Sequence, residues 1–308
     1  GRDEEGRGIA EMSFFSWWRE PDYRDDYREL WLIEQELSSP GRAERFELLS
    51  TWRLARDESY AKWAAELGTR ACQITFFGME ENTDWGMRRK GAFRDQLIAT
   101  ERCLAAGIAP RWQLFITKQC LNELDDFLRL IYDLKLFERC EKIGKKFEVF
   151  IGGISPEGNG SGIEALRPEE DDLPLIPNEL ISITREGTDL LGKPEYMVLE
   201  ELMECDTPPN ITVNPPCLAV NADYDVYPNI AEPAEWWKLG NLKIDGIQEI
   251  MRNYREERTP GMRMNRTIPV RELAKTYGDM RSKKLYDKSD LITRFLHQWG
   301  MDYMRRGR

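Results

Sequence analysis

Between Arg70 and Gln119 the order of apolar and polar positions outlines one complete βαβ unit. ACQITFFG, from Ala71 to Gly78, predicts a strand, because apolar residues alternate with polar ones and no helical period fits. A polar segment to Arg89 predicts a long loop, Gly91–Ala106 an amphipathic helix closed by Gly107, and Trp112–Thr117 the next strand. Similar signals lie on either side. Met12–Trp18 is a short aromatic run, expected as a strand, that stops at Arg19-Glu20-Pro21. Tyr27–Leu37 carries Leu30, Ile33 and Leu37 at helical spacing, Phe46–Thr51 predicts a strand, and Arg56–Leu67 predicts a helix ended by Gly68. Asn122 caps a further helix, and Phe147–Ile151 predicts a fifth strand that enters GGISPEGNGSG.

Five strands alternating with helices predict an α/β fold with a parallel sheet. They are too few for a closed eight-stranded barrel, and the glycines of GISPEGNGSG have the wrong offsets for a GxGxxG dinucleotide turn. Beyond Leu173 the chain becomes Pro-punctuated, with a helix at Pro194–Met203. CLAVNADYDVYPN then predicts a β-hairpin, KLGNLKIDGIQEIMRNYREE turns into a helix, and the tail from Val270 is helical and basic.

The strands carry an anomaly. Gln73 and Thr75 alternate with Cys72, Ile74 and Phe76, and Gln113 and Thr117 alternate with Trp112, Leu114 and Ile116. Parallel strands are usually apolar on both faces, so this alternation points to a solvated inner face, with incidental polarity as the alternative. Other candidates each have two readings. Ser50 and Thr51 end a predicted strand, where hydroxyls suit a ribose or a carboxylate, and equally suit a helix N-cap. Arg111 is either a bidentate clamp for a carboxylate or a surface cation. Gly152 and Gly153 let a ligand approach the backbone or simply pack closely. Trp236-Trp237, in a loop-like stretch, is expected to line a substrate entrance.

Composition narrows the function classes. The 308 residues carry a net charge of −11, with no global footprint for nucleic acid. Charge is uneven: from Met251 to Arg308 there are 15 basic and 7 acidic residues, a local +8 against −19 for the rest. That tail is either a solvated helical surface or a docking surface for an acidic partner. No apolar run approaches the ~18 residues of a membrane span, and the expected location is cytoplasmic. The six cysteines lack CxxC or zinc spacing, and Cys72 and Cys103 fall on apolar faces as buried thiols. The single histidine, His297, reads as helix-face packing, which argues against Ser-His-Asp triads and histidine metal sites.

The order of motifs resembles the radical S-adenosylmethionine enzymes. Trp18-Arg19-Glu20-Pro21 looks like that family's Gly-Gly-Glu-Pro motif, and Phe77-Gly78, the acidic loop Glu80–Asp84 and Gly91-Ala92-Phe93 look like the end of its fourth strand and the following helix start. Cys217, Asp223-Tyr224-Asp225-Val226-Tyr227-Pro228, Leu239-Gly240-Asn241-Leu242 and Ile247–Ile250 resemble a SPASM-type extension. The resemblance implies a partial (β/α)6 TIM-like barrel lacking its first strand over residues 1–178, a linker and helix at 179–205, a small α+β SPASM-like module at 206–257 and a basic helical tail at 258–308. It further implies S-adenosylmethionine held by Glu20, Ser50, Thr51, Gln73, Thr75, Arg111, Gln113, Thr117, Gly152 and Gly153, an external electron donor, and a peptide or protein substrate.

Two departures qualify it. The CxxxCxxC motif that would hold a [4Fe-4S] cluster is absent, and Asn229 stands where a SPASM cysteine is expected. Because the chain opens on Gly1, the cluster-binding segment is expected upstream, and the chain alone is expected to be inactive in cofactor cleavage. The alternative is a non-catalytic β/α scaffold that binds a partner through its basic tail.

Overall fold

The computed structural model describes residues 24–37, 49–156, 158–184, 191–211, 217–228 and 233–307. The predicted strand at Met12–Trp18, Glu20, the first half of Phe46–Thr51, and Asn229 lie outside the described residues. The chain divides into two compact units, Gly1–Gly152 with Leu175–Gly187, and Gly153–Pro174 with Thr188–Arg308.

In the first unit, α1 (Tyr27–Leu37), α2 (Thr51–Leu54) and α3 (Glu58–Glu66) precede β1 (Ala71–Phe76). Then come α4 (Glu80–Gly86), α5 (Ala92–Ala105), β2 (Ala109–Phe115), α6 (Leu124–Asp133), α7 (Leu136–Lys142), β3 (Glu148–Gly152) and α8 (Asn178–Ile183). The strands form a mixed α/β arrangement with a parallel sheet in the order β1-β2-β3. Thr184, just after α8, makes a parallel bridge to Val149, so the chain returns to the free edge of β3. Two of the expectations change here. Glu80–Asp84 is helical rather than a loop, because Glu80 and Glu81 sit in the first turn, where carboxylates complement the helix dipole. Thr51 begins a helix rather than ending a strand.

One face of the sheet is the core of this unit. Cys72, Ile74, Phe76, Trp112, Leu114, Val149 and Ile151 are fully buried there. Phe76 meets Trp112 at 4.5 Å between ring centroids, Phe127 of α6 at 5.4 Å and Phe93 of α5 at 5.9 Å. The buried Trp112 indole donates to Thr100 Oγ1 at 3.0 Å, so its one polar atom is satisfied. Helix α5 is started from outside: Asp84 accepts the Gly91 and Phe93 amides at 2.6 and 2.9 Å. Gly91 has φ 80, a conformation glycine adopts without strain. Burial works against ionisation of Asp84, but these amides and that of Ala92 outweigh it and hold the carboxyl below its usual value.

The second unit contains β4 (Lys193–Pro194), α9 (Glu195–Met203), β5 (Leu218–Val220), β6 (Asp225–Pro228), β7 (Gly240–Asn241), α10 (Gly246–Arg255), α11 (Pro260–Thr267), α12 (Val270–Tyr277), β8 (Leu285–Tyr286) and α13 (Lys288–Arg306). The predicted hairpin forms as β5 and β6, and β7 adds a third antiparallel strand. Trp236 and Trp237 do not line an entrance: both are buried in the core of this unit. Trp237 fills the space at Gly261 and Trp236 that at Gly300, so each indole lies where a helix has no side chain. His297 packs its ring against Trp236, 5.9 Å between centroids. No helix among the described residues is long and apolar enough to cross a membrane.

The basic tail spends its charge within this unit. Among the described residues, eleven of its cations lie within ion-pair distance of carboxylates, including Arg271 with Asp206, Lys283 with Asp171, Lys284 with Glu164 and Arg294 with Glu195. Most are exposed and each is worth about 1 kcal/mol or less. The buried ones form a network. Glu195, almost fully buried, accepts from both terminal nitrogens of Arg294 and from the Asp279 amide. Arg167, 1 % exposed, donates to Glu164, Leu285 O and Ile154 O, and its guanidinium lies 4.1 Å from the Tyr286 ring centroid. Tyr286 donates to Glu164 and accepts from Arg294, and burial raises its phenol far above the usual value.

Two stability measurements check this network. Arg167→Met strands Glu164 and two carbonyls, and urea unfolding should report a loss of about 3–5 kcal/mol. Burial raises the half-buried Asp290 carboxyl to about 6, Arg167 opposes the rise, and Asp287 and Glu164 add to it. The folded chain therefore holds this proton more tightly than the unfolded one, a contribution fully present below about pH 4 and lost as pH rises through about 6. Asp290→Asn should accordingly match the parent near pH 4 and be more stable at pH 7, by about 1–2 kcal/mol after allowance for partial exposure.

Candidate functional site

The other face of the parallel sheet is where the polar residues of the strands meet. Register places Gln73 beside Arg111 and Arg111 beside Glu148, with Thr75 beside Gln113 and Gln113 beside Phe150 in the next row. All six are half-buried, unlike their fully buried neighbours one residue away. Gln73 Nε2 donates to Gln113 Oε1 at 2.6 Å, Thr75 Oγ1 approaches the same oxygen at 3.4 Å, and Arg111 Nη2 donates to Gln73 Oε1 at 3.1 Å. The Arg111 guanidinium also lies 4.9 Å from the Phe150 ring centroid. The face therefore carries one cation, one carboxylate, two amides and a hydroxyl, with the amides oriented by each other.

At the carboxyl end of the strands the polar row is followed by a pair of aromatic rings. Phe77 and Phe115 lie 5.4 Å apart, and Gly152 is the register partner of Phe115. The Phe77 ring also occupies the position a side chain would take at Gly86 of α4. Glu148, Phe150, Phe77 and Phe115 share this face with the predicted residues; the sequence marked Phe77 only as part of a motif and the other three not at all. Their signal was available: each lies an even number of residues from a polar-face position on its own strand, or begins the run that does.

The remaining predicted residues are placed elsewhere or in other roles. Thr117 lies two residues beyond β2 and is buried, in a turn where its amide donates to Cys120 Sγ at 3.3 Å. Ser50 is an N-cap, its Oγ accepting the Arg53 amide at 3.2 Å, and its own amide donates to Tyr60. Thr51 is buried in the first turn of α2. Gly153 belongs to the second unit, where a Cβ would stand 2.9 Å from Arg167 Nη1; the room it leaves is taken by that buried guanidinium. Of the ten candidates, Gln73, Thr75, Arg111, Gln113 and Gly152 share the polar face.

The thiols give no metal centre. All six cysteines are free, and among the described residues no group of three His, Cys, Asp or Glu side chains could hold a metal ion. A hydrogen bond with Cys72, together with burial, pushes the Cys103 thiol well above its usual value, and burial pushes Cys120 up. These are unreactive structural thiols. A cavity of about 360 Å³ is lined by Tyr132, Lys135, Phe137, Glu138 and Ile183, none of them a residue of the polar face.

No family model and no curated protein matches the chain. Among solved structures, one described as "Native anSMEcpe with bound AdoMet" is similar at 12% sequence identity and a TM-score of 0.41, covering 82% of this chain and 72% of that one.

The two faces of the sheet should respond differently to truncation. Gln113→Ala or Thr75→Ala should cost about 1 kcal/mol or less, because those side chains are half-exposed. Ile74→Ala and Trp112→Ala should each cost about 3–5 kcal/mol in the same urea titrations.

Proposed function

We propose that the polar face of the parallel sheet binds S-adenosylmethionine, and that the chain is part of a radical S-adenosylmethionine enzyme with a SPASM-like module near its C-terminus. The observation that carries the reading is the Gln73–Gln113–Arg111 network on a parallel strand face that is ordinarily apolar. The order of motifs from Phe77-Gly78 to the hairpin at Asp225 supports it, as does the return of Thr184 to the edge of β3, the next step of a β/α repeat.

The donor set suits this cofactor. Arg111 would take the methionyl carboxylate, Gln73, Thr75 and Gln113 would hydrogen-bond the amino group or ribose hydroxyls, and Glu148 would face positive charge. Bound S-adenosylmethionine would supply hydrogen-abstraction chemistry through its 5′-deoxyadenosyl group, on one-electron cleavage by an external donor with methionine as the leaving group. The protein residues bind, orient and shield it. An iron–sulfur cluster does not fit the described residues, whose thiols are dispersed through the first unit's core and the second unit. No step is therefore assigned to a cluster held by them. A peptide or protein substrate follows from the SPASM-like resemblance of residues 206–257.

Equilibrium dialysis with labelled S-adenosylmethionine tests the reading. Saturable binding is expected, weakened about tenfold or more in Arg111→Ala, since a charge-assisted hydrogen bond is worth about 1.5–3 kcal/mol. Absence of saturable binding to the parent chain would falsify it. With dithionite under anaerobic conditions the 308-residue chain should form no 5′-deoxyadenosine.

A further inference from the structure

The loops that follow β1 and β2 meet at Gly78. Its φ is 128, and a side chain there would run into Glu123 Oε2 and lie 2.8 Å from Cys120 Cβ. The Glu123 carboxylate uses this opening to accept the Met79 amide at 2.7 Å, across 44 residues of chain. A second tie runs alongside, from Asn82 Nδ2 to Gln119 O at 3.3 Å.

Each loop is stiffened on its own before Glu123 joins them. Behind β2, Cys120 closes a turn with Thr117, its amide donating to Thr117 O at 3.1 Å, and Glu123 begins the next turn through Cys120 O at 2.9 Å. Behind β1, Thr83 accepts the Phe77 amide at 3.1 Å and donates to Gly78 O at 2.8 Å. Thr83 thus holds the backbone at both Phe77 and Gly78, and the Phe77 ring is set beside Phe115 at the carboxyl end of the polar face.

We infer that Glu123 is a positioning residue that sets the Phe77–Phe115 wall of the polar face by locking the β1 loop to the β2 loop. This rests on the reading that the face binds S-adenosylmethionine. The carboxylate need not touch the ligand. An unmet Met79 amide would let the Gly78 turn relax, and the aromatic wall would move with it.

Hydrogen exchange followed by mass spectrometry over residues 77–80, alongside urea unfolding and S-adenosylmethionine dialysis, tests the inference. Glu123→Ala and Glu123→Asp, which is one methylene short, should lower protection of these amides about tenfold and weaken binding by a similar factor. Glu123→Gln should restore both, because its side-chain carbonyl still accepts the Met79 amide. Unchanged protection in both Glu123→Ala and Glu123→Asp would overturn the lock. Lost protection with unchanged affinity would overturn its link to the ligand. If the parent chain binds no S-adenosylmethionine, the ligand reading fails, and the lock is judged by exchange alone. If Glu123→Ala loses the fold, seen as exchange rising throughout, Glu123→Asp against Glu123→Gln supplies the comparison.

Discussion

The two-sidedness of the parallel sheet, three-stranded among the described residues, is the constraint on which the first unit depends. Burying Cys72, Ile74, Phe76, Trp112, Leu114, Val149 and Ile151 on one face supplies the apolar area that orders the unit. Period 2 then obliges their neighbours to face the other way. Gln73, Arg111, Gln113 and Glu148 are held in place by the packing of their strand neighbours on the opposite face. A one-residue slip of β2 would exchange the two sets, burying an arginine and a glutamine and exposing Trp112. Register is therefore the quantity that both stability and the candidate site share.

The second unit solves a different problem. Its strands are only two to four residues long, and its core packs tryptophans where helices carry glycine. Trp236 at Gly300 and Trp237 at Gly261 are the clearest cases. Its surface opposes a basic tail to acidic segments around Glu164, Asp171, Glu201 and Asp206. A tail that looks in the sequence like an arm for an acidic partner thus has carboxylates of its own unit around it. Glu195 and Arg294 are the exception to surface behaviour, since both are largely buried and lose most by being separated.

Much of this was legible in advance. The strands at Ala71–Phe76, Ala109–Phe115 and Glu148–Gly152, the helices at Tyr27–Leu37 and Ala92–Ala105, and the Leu218–Pro228 hairpin follow the apolar patterns that predict them. So does the grouping of Gln73, Thr75 and Gln113 on a polar face. Glu80–Gly86 was not legible: it is held by first-turn carboxylates and by Thr83, with no apolar stripe to announce it. Nor was α7, Leu136–Lys142, which Lys135 separates from α6 by adopting φ 52. At Ser50 and Gly153 the residue type allows two roles, and the structure takes the helix cap for one and close packing against Arg167 for the other.

What the sequence determined by itself is periodic and local: which residues alternate, which helix ends at which glycine, and which strand faces are polar. These depend on neighbours a few positions away. The tertiary structure alone decided which distant groups meet. Glu123 with Met79, Arg167 with Ile154 and Leu285, and Arg294 with Glu195 are partnerships across 13 to 118 residues. A hydrogen bond needs its donor and acceptor within about 3 Å, and only the packed register of strands and helices brings them that close.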